Sequence, residues 1–212
     1  REPIFEYYDK QVQGRTILES GEADSGVLQP FNNDNYPQEI RNVGIAISTD
    51  HNPRFGKISP YWCAINAIVE AIQNVVSVGA TPQALTDCLC FGNPRRPDIM
   101  GQFKASCEAL RDAATAVDVP YVSGNVSLYN ETQEGSIPPT PVLMGIGLVN
   151  DIRKCVTSDM KTEGSIWLVG QTKEEMGASL YYRTLGLECP KVPSTNFKTF
   201  LPRMEQLIQA IE

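Results

Sequence analysis

The sequence predicts an α/β chain of the α+β kind, in which two amphipathic helices pack on one β-sheet. Two patterns predict it. After Pro60, the apolar residues Ile65, Ile68, Val69, Ile72, Val75 and Val76 recur at the i, i+3, i+4, i+7 spacing of a helix with one buried face, and Gly79 follows as a stop. After Asp98, the residues Ile99, Phe103, Leu110, Ala113, Ala114 and Val117 repeat the pattern. Around these helices lie apolar runs of strand length at 43–50, 84–91 and 140–149.

Taken in order, residues 1–42 are the least regular. An aromatic-rich stretch at 4–12 is broken by Gly14 and Gly21, and 32–37 is dense in Asn, Asp and Pro, so a leading segment with one or two short strands is expected. The strand at 43–50 ends on Asp50 and leads into Asn52-Pro53-Arg54. A carboxylate placed there serves equally well as a metal or ligand contact and as a turn residue. His51, the single histidine, has no second His or Cys pair near it and reads as part of the turn. Pro60 then opens the first helix, Asp98 is expected to cap the second, and Arg95-Arg96 form an exposed loop pair open to phosphate or to water. The strand at 84–91 carries Asp87 among apolar neighbours. Unless it lies on a solvated face, such a carboxylate must find a cation, a metal or hydrogen-bond donors, or stay protonated.

The chemistry is expected to gather at 123–131, Ser-Gly-Asn-Val-Ser-Leu-Tyr-Asn-Glu, where a strand arriving through Pro120, Tyr121 and Val122 meets a run of small oxygen-bearing groups. Gly124 permits either a positive φ or a close backbone approach, and both suit a phosphate. Asn125 offers an amide oxygen of the hard kind Mg²⁺ accepts, and Ser127 shares its face if the backbone stays extended. The same residues also make an ordinary strand and turn. The site reading requires Asp87, Gly124, Asn125 and Ser127 to converge on one phosphate-sized spot. Gly145-Ile146-Gly147 lacks both a third glycine and a helix start, so it is not a dinucleotide fingerprint. A charged boundary at 151–164 lies between two strand signals, the second of which, at 166–170, begins a new unit, and Thr172 with Glu175 forms a capping box. The last stretch sets Leu201, Met204, Leu207, Ile208 and Ile211 on one helix face with no Gly stop and no following strand, so the chain is expected to end inside this unit. The expected division is 1–42, 43–160 and 161–212.

Composition narrows the function. A chain of 212 residues that is 42% hydrophobic can bury a full core. Its formal charge of −7 argues against a nucleic-acid partner, and no apolar segment nears the roughly 18 residues that span a membrane. The start, Arg1-Glu2-Pro3-Ile4, has neither Met nor an export signal and reads as an excised piece or processed product. Six scattered cysteines without a C-x-x-C read as reduced thiols, which fits a cytoplasmic setting.

A set of motifs in order resembles one family. Tyr8-Asp9-x-Gln11-Val12, Asn52-Pro53-Arg54, Pro60-Tyr61, Gly79-Ala80-x-Pro82, Thr86-Asp87-Cys88-Leu89-x-Phe91-Gly92-Asn93-Pro94, the 124–131 run and Pro139-Thr140-Pro141 are similar to the second half of the small form of phosphoribosylformylglycinamidine synthase, the synthetase subunit of purine biosynthesis. Gly170-x-Thr172-Lys173 and Gly177-x-Ser179 resemble the start of its following domain. The resemblance implies a PurM-like N-terminal domain, as in aminoimidazole ribonucleotide synthetase, with a mixed β-sheet flanked by helices, followed by the beginning of a PurM-like C-terminal α+β domain. It implies that the N-terminal sheets of two halves join in a barrel. It implies an ATP- and Mg²⁺-dependent ligase that converts formylglycinamide ribonucleotide to its amidine with ammonia from glutamine. On that pattern Asp87 and Gly124 contact ATP, Asn125 binds Mg²⁺, Ser127 touches the ribonucleotide, and none of this chain's residues is catalytic. The implied partners are a first half of the same chain, a glutaminase subunit and a small bridging subunit. This chain alone is then expected to be inactive and to form dimers. Cys63, Gln73 and Cys90 stand where the family commonly has glycine, arginine and asparagine. Two other readings stay open: a structural half that holds nucleotide or serves assembly without chemistry, and another ATP-using enzyme of the same superfamily.

Overall fold

The computed structural model describes residues 12–212. The motif at 8–12 and the aromatic stretch at 4–12 lie, but for the backbone of Val12, outside the described residues. The elements run β1 (Thr16–Leu18), β2 (Gly26–Leu28), β3 (Gly44–Asp50), α1 (Pro53–Ile58), α2 (Pro60–Ser77), β4 (Thr81–Cys90), α3 (Pro97–Val117), β5 (Tyr121–Ser127), β6 (Glu131–Thr132), β7 (Gly135–Ser136), β8 (Thr140–Val149), α4 (Leu180–Thr184) and α5 (Phe197–Ile211). Among the described residues six strands form one mixed sheet in the order β1-β2-β3-β8-β4-β5, with β6 and β7 as a separate hairpin. Every pair in the sheet is antiparallel except β4 with β5.

The long helices form where their local signals lie. Ser59 caps α2, its hydroxyl accepting from the Trp62 N–H, and Pro60 takes the first helical position. Gly79 follows the end at φ 88, a conformation that costs a residue without Cβ little. All six residues of the predicted apolar stripe are buried. In α3 the proline at 97 takes the first helical position, which makes Arg96 the cap residue and moves Asp98 into the first turn. There Asp98 pairs with Arg96 at 2.8 Å instead of capping, contrary to the sequence expectation. The Tyr61 hydroxyl donates to Asp112 at 2.9 Å and the Ser106 hydroxyl to the Pro60 carbonyl at 3.2 Å, tying the two helices together.

Both helices lie on one face of the sheet. α2 sits directly on β8, where a Cβ on Gly145 would stand 3.0 Å from the Ala71 carbonyl oxygen and one on Gly147 would stand 2.3 Å from a Val75 methyl carbon. These glycines are packing residues. On the same face, Leu85, Leu89, Leu143, Ile68, Ile72 and Phe91 make the main core, which α5 extends with Phe200 and Met204. A second cluster of Leu18, Val27, Ala46, Val75 and Val149 holds β1 to β3. Among the described residues nothing packs over the other face of the sheet, which is bare in that sense. Ile45, Ile47, Val142, Met144, Ile146 and Cys88 are only half-buried there, and Leu28 and Leu148 are exposed.

The last fifty residues depart most from expectation. The run at 166–170 is not a strand, and Ile166, Trp167, Leu168 and Val169 are 60% to 83% exposed. A strand needs a neighbour to hydrogen-bond, and none lies beside it among the described residues. Glu175 does not form a capping box: its carboxylate accepts from the Ser194 hydroxyl at 2.6 Å and the Ser194 N–H at 2.9 Å, and the next helix starts only at Leu180, capped by Ser179. No helix among the described residues is long and apolar enough to cross a membrane.

The seat of α2 on β8 gives a direct test. Gly147→Ala should lower stability in chemical denaturation by about 1–3 kcal/mol, as overpacking does. Leu148→Ala, on the bare face, should cost less. Equal losses would mean that α2 does not depend on the glycine seat.

Candidate functional site

The register between β4 and β5 sets Asp87 opposite Gly124, Cys88 opposite Asn125 and Cys90 opposite Ser127. β5 runs on through Ser127, further than the sequence predicts, because its pairing with β4 continues through the small polar residues. A Cβ on Gly124 would stand 2.9 and 3.1 Å from the two carboxylate oxygens of Asp87. Of the two roles a glycine has here, the structure uses the close approach; its φ lies outside the left-handed region.

Asp87 points to the helix side, between Leu85 and Leu89 along β4. Burial pushes its carboxyl above the ordinary range, and a hydrogen bond from the Asn125 backbone N–H partly opposes that. Among the described residues no Lys or Arg forms an ion pair with it. Two other groups share this space. The Tyr121 hydroxyl is buried with no hydrogen-bond partner among the described residues, and Cys107 reaches in from α3. Burial first, and then the charge of Asp87, raise the pKa of both. Tyr121 escapes a reading by alternation. An irregularity in the β4/β5 register between Tyr121 and Ser123 turns it to the side of Asp87 rather than to that of Asn125.

Asn125 and Ser127 do share a face, as predicted, but it is the bare face. Alternation along β5 places their side chains on the side of Cys88 and Cys90, whose sulfurs lie 3.7 Å apart, and away from Asp87. The expected convergence of four groups on one spot is therefore corrected: Asp87 meets Gly124 on one side of the strand, and Asn125 and Ser127 lie on the other. Ser127 is held by the turn that follows, where Asn130 Nδ2 donates to its hydroxyl at 3.1 Å, to its carbonyl at 2.9 Å and to the Phe91 carbonyl at 3.0 Å. That turn includes Tyr129 at φ 62 and packs against Gly92, where a Cβ would collide with the Ser136 hydroxyl. Asn125 is exposed. No group of three or more His, Cys, Asp or Glu that could hold a metal occurs among the described residues. Asn125 offers an amide oxygen on the bare face, a hard donor of the kind that could supplement waters and phosphate oxygens around Mg²⁺.

A second titrating group lies at the end of β3. Asp50 faces α2, where its carboxyl is hydrogen-bonded to that of Glu70. Burial, then the charge of Glu70, raise Asp50 to about 7. The sequence marks Asp50 as a strand-end carboxylate, but the pairing with a residue twenty positions on is a product of packing.

Comparison with known proteins places these elements in context. Residues 24–149 match the family model described as AIR synthase related protein, N-terminal domain. The chain is similar to the phosphoribosylformylglycinamidine synthase subunit PurL of Methanothrix thermoacetophila, with 41% identity over all of this chain and 28% of that protein. Among solved structures it is similar to Thermotoga maritima PurL complexed with ATP, with TM-score 0.59 and 29% identity over 73% of this chain and 24% of that one. It is also similar to the same protein complexed with FGAR, with TM-score 0.60 and 30% identity over 73% and 23%. The chain spans about a quarter of the length of the relatives it matches.

The Asp50 pair predicts a pH dependence. Because the folded state holds this proton more tightly than the unfolded state, the stability this group contributes is full below about pH 4 and is lost as pH rises through about 7. Asp50→Asn should flatten that fall and stabilise the chain at pH 8 by on the order of 1 kcal/mol, a figure reduced for the group's partial exposure. Parallel pH profiles of melting temperature for the two proteins would contradict it.

Proposed function

This chain belongs to the AIR synthase related family, with which its N-terminal domain aligns, and from that premise we propose that it is part of the synthetase subunit of phosphoribosylformylglycinamidine synthase. The observation that carries the proposal is identity to PurL over the whole chain rather than at isolated motifs. The reaction would join ammonia, released from glutamine, to formylglycinamide ribonucleotide. ATP would phosphorylate the amide oxygen, ammonia would attack the resulting iminophosphate, and phosphate would leave to give the amidine and ADP. In this reading 43–160 is the N-terminal unit of the second half and 161–212 begins its C-terminal unit, working in the cytoplasm.

The chain's own residues would bind and orient rather than transfer protons. Asp87 and the bare backbone at Gly124 would meet ATP, Asn125 would give an amide oxygen to a hydrated Mg²⁺, and Ser127, fixed by Asn130, would touch the ribonucleotide. Mg²⁺, when bound, would neutralise charge on the transferring phosphoryl group. Since the two pairs lie on opposite sides of β5, a ligand set that reaches all four must wrap the free edge of that strand. The partners would be a first half of the same protein, a glutaminase and a small bridging subunit, and the chain alone would be inactive. The half-buried apolar residues on the bare sheet face support a partner sheet there, and they also favour the second reading, an assembly half without chemistry.

Asp87→Asn in the full-length protein separates the two readings. It should lower kcat/KM for ATP at least tenfold, about 1.4 kcal/mol, and Asn125→Ala should raise the Mg²⁺ concentration needed. Unchanged turnover and metal dependence would leave only the assembly role. Sedimentation of the 212-residue chain should show dimers, and a monomer at high concentration would count against the partner sheet.

A further inference from the structure

Cys88 and Cys90 stand two apart on β4, so alternation puts both on the bare face of the sheet, where each is half-buried. Two residues that far apart along a strand are separated by roughly 6.6 Å, yet these side chains lean together until their sulfurs are 3.7 Å from one another. Among the described residues neither sulfur has a hydrogen-bond contact outside residues 88 and 90. The other cysteines do not pair in this way. Cys63 turns its thiol to the Asn52 and Pro139 carbonyls, Cys189 turns to the Lys191 carbonyl, and no second contact between sulfurs occurs among the described residues.

The separation decides what the pair can do. A disulfide needs sulfurs about 2.05 Å apart on Cα atoms no more than about 6.8 Å apart, so closing one here would pull both side chains inward at the limit of what an extended strand allows. A tetrahedral cation with metal–sulfur bonds of about 2.3 Å holds two sulfurs about 3.8 Å apart. That is close to the spacing already present. The strand that carries the pair is fixed along both edges: β8 sets Val142 opposite Cys88 and Thr140 opposite Cys90, and β5 sets Asn125 and Ser127 opposite the same two cysteines. The Thr140 hydroxyl donates to the Pro138 carbonyl at 2.8 Å and Asn130 holds that of Ser127 at 3.1 Å. The exposed Asn125 side chain makes no hydrogen bond among the described residues, which leaves its amide oxygen available.

We propose that Cys88 and Cys90 form a binding site for a thiophilic divalent cation of the Zn²⁺ class, with the two sulfurs as ligands and the rest of the tetrahedron open to water and to the Asn125 amide oxygen. The site goes beyond the proposed function, since Mg²⁺ takes oxygen ligands whereas thiolates select softer cations. Each cation bound releases the two thiol protons to solvent, and nothing is oxidised.

Titration of the reduced 212-residue chain with Cd²⁺, followed by the ultraviolet charge-transfer absorbance from sulfur to metal, tests it. The absorbance should rise with the first equivalent, Zn²⁺ should displace the Cd²⁺, and excess Mg²⁺ should not. Cys88→Ser and Cys90→Ser should each weaken Cd²⁺ binding at least tenfold, and the double change should weaken it little further, because a chelate is lost with its first sulfur. If Cys90→Ser lowers the melting temperature, Cys90→Asn, which restores the residue common in the family, takes its place. Cys189→Ser, outside the pair, should leave binding unchanged. Absorbance that does not appear, that survives the loss of either sulfur of the pair, or that falls with Cys189→Ser would overturn the proposal.

Discussion

A helix can lie against a central strand at van der Waals distance only if the strand offers no Cβ where the helix backbone passes. Gly145 and Gly147 meet that condition on β8, and α2 sits on them. This contact makes the sheet one-sided. With α2 and α3 on one face, alternate residues of β3 and β8 are buried against them, and the residues between face outward with apolar side chains that no helix among the described residues covers. A chain does not leave so many branched apolar residues half-exposed for its own stability, since each gains free energy only when removed from water.

The same alternation governs the site. In the sequence, Asp87, Gly124, Asn125 and Ser127 look like one constellation because they are near in type and spacing. In a strand, adjacent residues point to opposite sides, so Gly124 and Asn125 cannot aim their faces at the same point. What the sequence could not carry was the register. Only with Asp87 placed opposite Gly124 does the glycine acquire its role, as the position where a side chain would displace a carboxylate.

Much of the fold was legible because its signals are local. The helical periods after Pro60 and Pro97 and the run at 140–149 need only a few neighbours in sequence to be read, and β8 begins and ends where that run does. α1 was missed even though its start signal, Asn52 as cap followed by Pro53 at the first helical position, is written in the chain. Six residues are too short to show a period, so in the sequence the pair reads as a turn. The errors beyond 160 have a different source. A capping box and a strand are local hypotheses that non-local partners can overrule, and Ser194 took Glu175 while no strand took 166–170. Tyr121 and the Asp50–Glu70 pair were invisible because each depends on a register irregularity or a helix placement, neither of which leaves a mark in composition.

The unbalanced charge points in one direction. Asp87 is partly buried, and among the described residues no Lys or Arg forms an ion pair with it. Moving a carboxylate out of water is costly unless a positive partner accompanies it, and the rise in the Asp87 pKa expresses that cost. Such a group destabilises the chain by itself, and an apolar residue packed in its place would remove that cost. A fold that keeps an uncompensated carboxylate beside a bare glycine on an edge strand is arranged for charge that arrives from outside.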